Sequence, residues 1–130
     1  MRCEAIEWRD GPALAPWSEH SVDADCVHVA HYHAQPITDC RATLSSSDAN
    51  ALTTALADPG VRASLALAPN KQGEIILGLD GRAMDVGSRT LVMGGKRLVV
   101  GGACSDTPSC VAPSPGIVKL LDQLFAMNCP

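Results

Sequence analysis

The sequence predicts an α+β domain: a mostly antiparallel sheet built from hairpins, disulfide-stabilised, with two or three helices packed on one face. Three observations point there. Asp80-Gly81 and Gly94-Gly95 each sit between short β-rich runs, the signature of two-residue hairpin turns that need positive φ. Two segments, LSSSDANALTTALADPG and the one opened by Ser114-Pro115, carry apolar residues at helical spacing behind a capping residue. The order is strands, helix, strands, helix, without long crossovers, which favours antiparallel pairing and segregated helices. At 130 residues, the chain has the length of one compact domain, 1–130.

Along the chain, CEAIEWRDG reads as a short strand ending at Asp10-Gly11. PALAPWSEHSVDAD has no sustained period and contains two prolines, so it reads as a loop or irregular arm anchored by Trp17. CVHVAHYH is a strand by its β-branched and aromatic content. ITDCRATL alternates, with Cys40, Ala42 and Leu44 on one face, as in a half-buried strand. In LSSSDANALTTALADPG, Ser45 and Asp48 resemble a capping box, and Ala49, Leu52, Ala55 and Leu56 form one stripe. VRASLALAP fits a strand by alternation, but Asp58 as N-cap and Pro59 in the first turn favour a second short helix. GEIILGLDGRAMDV and RTLVMGGKRLVV then predict a four-stranded meander. The last element is a helix capped by Ser114, with Pro115 at its first position and Ile117, Leu120, Leu121 and Leu124 as its buried stripe.

Composition narrows the functional classes. A formal net charge of −4, with Lys96-Arg97 as the only adjacent basic pair, argues against nucleic-acid binding, which needs a basic stripe to neutralise phosphates. No run of about 18 apolar residues suggests a membrane span. The six cysteines Cys3, Cys26, Cys40, Cys104, Cys110 and Cys129 are scattered, with no C-x-x-C pair. Scattered, even cysteines fit disulfides in an oxidising compartment. The chain is therefore expected to be the mature part of a secreted or periplasmic protein whose signal peptide has been removed. The expected bridges are Cys104–Cys110, for its short turn-rich spacing, Cys3–Cys26, at the starts of two strands, and then Cys40–Cys129.

Two stretches carry candidate sites. In VHVAHYH, strand alternation puts His31 and His33 on one face and His28 on the other. Two imidazoles about 7 Å apart along a strand can converge on one ion. His20, in the preceding loop, is the natural third ligand, and zinc or copper suits imidazole donors. Without metal, His31 is expected to lie against the core near Val29, and His33 nearer solvent. In CSDTPSC, a Cys104–Cys110 bridge would present Ser105, Asp106, Thr107, Pro108 and Ser109 on a closed loop, lowering the entropic cost of meeting a partner. Its bland alternative is a bridge that only stabilises the connection into the last helix.

No catalytic signature accompanies these stretches. The serines of SSSD read as helix capping, no G-x-S-x-G elbow is present, and the glycines match neither a phosphate loop nor a dinucleotide fingerprint. The expected function is non-catalytic: an extracytoplasmic domain that binds a protein partner through its loops, with an inhibitor as one such form and no resident cofactor. The alternative is a zinc or copper protein, or a metal-dependent enzyme, centred on His31 and His33.

Overall fold

The computed structural model describes residues 1–10, 17–33, 36–78, 89–101 and 111–127. Their strands form one seven-stranded sheet in the order β4-β3-β2-β1-β6-β7-β5. These are β1 (Ile6–Asp10), β2 (Trp17–Val22), β3 (Val27–His33), β4 (Thr38–Thr43), β5 (Glu74–Leu77), β6 (Arg89–Met93) and β7 (Lys96–Val100). The helices are α1 (Ser46–Leu56), α2 (Pro59–Leu65) and α3 (Pro115–Phe125). Every strand pairing is antiparallel except β5 with β7. The α+β class and the mostly antiparallel sheet follow the expectation.

Alternation along each strand gives the sheet a dry side. Ile6 and Trp8 of β1, Leu91 and Met93 of β6, Leu98 and Val100 of β7, and Ile75 and Leu77 of β5 are buried in one cluster. The same cluster holds Leu52 and Leu56 of α1, Val61 and Leu65 of α2, and the expected stripe Ile117, Leu120, Leu121 and Leu124 of α3. Caps form where the sequence placed them. Ser45 Oγ accepts the Asp48 N–H at 3.1 Å, Asp58 Oδ1 accepts the Gly60 N–H at 2.9 Å, and Ser114 Oγ accepts the Ile117 N–H at 3.3 Å. Each satisfies a backbone donor that a helix start leaves open. VRASL is helical, as the cap and proline argued.

Two expectations need correction. The segment read as an irregular arm contains β2, which pairs with both β1 and β3. Its core-facing residues are Ser18, His20 and Val22, so polar groups stand where a hydrophobic alternation would have announced a strand. The expected meander is also altered in its strand order. The Gly94-Gly95 hairpin is present, both glycines taking positive φ (58° and 75°), but β5 lies parallel to β7. The Asp80-Gly81 turn lies outside the described residues. Because β4 and β5 stand at opposite ends of the strand order, α1 and α2 carry the chain across the sheet between them.

Cys3 and Cys26 form the expected disulfide, with Cα atoms 5.1 Å apart. Cys26 takes a positive φ of 63° at the end of the β2–β3 turn. Asp23 Oδ1 shapes that turn by accepting the N–H groups of Asp25 and Val27. The N-terminal segment is held further by Glu4, which receives both terminal nitrogens of Arg62 on α2 at 2.8 and 3.3 Å. Cys40 is also disulfide-bonded, while Cys104, Cys110 and Cys129 lie outside the described residues. None of the described helices is long and apolar enough to cross a membrane.

Candidate functional site

The β2–β3 ribbon carries all four histidines and sorts them onto opposite faces. The register pairs His20 with Ala30 and Val22 with His28, which places His20 and His28 on the core side. They are 6% and 3% exposed. His20 Nδ1 and His28 Nε2 are hydrogen-bonded at 3.0 Å, and His20 Nε2 is hydrogen-bonded to Ser18 Oγ at 2.9 Å. The indole of Trp8 stacks on both imidazoles, with centroids 5.0 Å from His20 and 5.5 Å from His28. Tyr32 and Phe125 meet His20 edge-on. The Trp8 Nε1–H is buried without a hydrogen-bond partner among the described residues, so packing and stacking hold this ring in place. Burial, and then the neighbouring His28, push the His20 pKa down to about 4. Burial pushes His28 down as well.

The other face is open. One cross-strand row runs Arg9, Glu19, His31, Asp39, with charge sign alternating when His31 is protonated. Within this row, the ion pair among the described residues is that of His31 with Asp39. His31 Nδ1–H donates to Asp39 Oδ1 at 2.7 Å, and His33 Nε2–H donates to Glu19 Oε1 at 3.2 Å. Trp17 stacks on His33 with centroids 3.9 Å apart. The hydrogen bond to Asp39, with the charges of Asp39 and Glu19, raises the His31 pKa against a smaller desolvation effect.

This face forms a groove of about 380 Å³ over β1, β2, β3, β6 and β7. Its charged lining is Glu7, Arg9, Glu19, His31 and Arg97, and its apolar lining includes Val29 and Val92. Glu7, Arg9 and Arg97 have no ion-pair partner among the described residues. The groove can therefore offer both a carboxylate and two guanidinium groups to an incoming ligand.

His31 and His33 share a face, as alternation requires, but each is engaged with its own carboxylate. His20 is not in a loop beside them; it lies on β2, on the opposite face. Among the described residues, no three or more His, Cys, Asp or Glu side chains are arranged to hold a metal ion. The expected burial of His31 against the core is reversed, since its side chain is 48% exposed and that of His33 35%. The core histidines are His20 and His28. Ser105, Asp106, Thr107, Pro108 and Ser109 lie outside the described residues. Sequence reasoning missed the groove because its lining comes from five strands that are not all consecutive. No protein-family model matches the chain, and no curated protein matches it.

Proposed function

We propose that the protein is a non-catalytic binding domain that works outside the cytoplasm and takes a protein partner on the open face of its sheet. The groove is the observation that carries this reading. It holds charges of both signs that no other described residue pairs, beside half-buried valines, and it lies on the side of the sheet away from the hydrophobic cluster. An extended partner segment that alternates acidic and basic side chains complements such a surface, with Arg9 and Arg97 taking carboxylates bidentately and Glu7 taking a cation. The Cys3–Cys26 bridge supports an oxidising compartment. An inhibitor is one form such a domain takes, and the segment 105–109 is the rival contact surface.

The test is affinity capture from the fluid around cells that make the protein, using three baits. These are the wild-type chain, the double charge reversal Arg9→Glu/Arg97→Glu, and Cys104→Ser/Cys110→Ser. The expected result is a saturable partner whose affinity falls at least about tenfold with the charge reversal, since like charges brought together at an interface are costly. A partner kept by the charge reversal but lost by the cysteine variant would move recognition to the 105–109 segment. No saturable partner at all would contradict the binding reading.

A further inference from the structure

We propose that the buried chain Ser18–His20–His28 is an acid-operated latch: when neutral it holds the β2–β3 ribbon to Trp8 of β1 and Phe125 of α3, and when both imidazoles are protonated it lets go. The latch turns on the 3.0 Å contact between the facing ring nitrogens. A neutral imidazole carries one N–H and one bare nitrogen, so the contact needs one of each. A first proton is tolerated by this geometry, because an imidazolium N–H still finds the bare nitrogen opposite. A second proton leaves two N–H groups pointing at each other with no acceptor between them. It also puts two positive rings 5.3 Å apart in the core.

Among the described residues, none supplies a counter-charge to the rings. On β1 the rings meet the indole of Trp8, while Glu7 and Arg9 line the opposite face. On β2 the contact is the Ser18 hydroxyl, and on β3 it is the edge of Tyr32. On β4 the residue opposite His28 is Ala42, and the neighbouring Cys40 is disulfide-bonded. On α3 it is the edge of Phe125, whose face is covered by the Arg89 guanidinium of β6 at 4.4 Å. The acids at this end, Asp10 and Asp122, pair with Arg89. Burial raises the Asp10 pKa, so acidification removes negative charge from this end while adding positive charge to the rings. The depressed pKa values of His20 and His28 agree with this picture and set the transition in acid.

The latch is independent of what the groove binds. Its test uses the full chain carrying Trp17→Phe, so that Trp8 is the one remaining indole. Trp8 emission and the imidazole ¹⁵N shifts are followed from pH 8 to 3.5. The expected result is two imidazoles that stay neutral at pH values where a free imidazole has taken up its proton, with Trp8 emission moving to the red, reversibly, as the second of them is protonated. In His20→Asn/His28→Asn the Trp8 step should move down by about one pH unit or more, or vanish. If that variant does not fold, the ¹⁵N arm decides alone. Core imidazoles that titrate near 6.5, or that become fully protonated with Trp8 emission unchanged, would overturn the latch.

Discussion

Gly116 on α3 sits so close to Asp58, the cap of α2, that a β-carbon there would collide with the Asp58 carboxylate. The relationship is reciprocal. A β-carbon on Gly60 of α2 would come within 2.8 Å of Ser114 Oγ, the cap of α3. Two cap-Pro-Gly sequences, Asp58-Pro59-Gly60 and Ser114-Pro115-Gly116, thus interlock two helix starts. In an exposed helix interior, Gly→Ala gains roughly 0.5–1 kcal/mol. Here Gly116→Ala should instead cost about 1–3 kcal/mol, through overpacking and loss of the Asp58 cap. Urea unfolding measures it, and a stabilised Gly116→Ala would mean that the helix starts are not interlocked.

Stability should fall in acid. The folded-state pKa of His20 lies at about 4, below the value near 6.5 of an unfolded chain. Between those values the unfolded state binds a proton that the folded state refuses. The stability contribution is therefore complete above pH 6.5, declines as pH falls towards 4, and is gone below it. Its size for His20 is about 3 kcal/mol, and His28 acts in the same direction. His31 works oppositely: its raised pKa adds stability in acid that is lost as pH rises through that value, and its exposure keeps this small. Urea midpoints at pH 7.5, 6 and 4.5 should decrease in that order. Equal midpoints would show that the core imidazoles are charged or solvated.

The disulfide closes a loop with a sequence separation of 23. Cys3→Ser should cost about 3 kcal/mol in the chain-entropy model. It should loosen the N-terminal segment and the β2–β3 turn first, since Cys3 N–H also donates to Ala24 O. Hydrogen exchange resolved by residue shows whether the loss begins there or spreads evenly.

Leu120 is fully buried on α3. Leu120→Ala should cost about 2–5 kcal/mol, as for other buried leucines. A loss under about 1 kcal/mol would mean that the site collapses around the smaller side chain, in contrast to a well-packed core.

Much of this architecture was legible because local chemistry and burial agree. The caps Ser45, Asp58 and Ser114, the stripe of α3 and the Gly94-Gly95 turn each act over a few residues, where sequence spacing is informative. β2 was not legible, since its core face carries Ser18 and His20, whose burial becomes affordable only through a bond to His28 on another strand. The one available signal was the alternation of His20 with Val22 just before the Asp23–Cys26 turn. The place of β5 at the far edge beside β7, opposite β4, is long-range topology, which no local pattern encodes. For the histidines, alternation correctly paired His31 with His33 and set His28 apart. It gave no hint that Asp39 and Glu19 would occupy their ring nitrogens, because those acids arrive by cross-strand register.

The most direct test of the binding account is hydroxyl-radical footprinting of the chain with and without its captured partner. The account predicts protection on the open face, at Val29, His31 and Val92 and along β1 at Glu7 and Arg9, with the core residues unchanged. Protection confined to residues 105–109, with the open face as reactive as in the free chain, would contradict it.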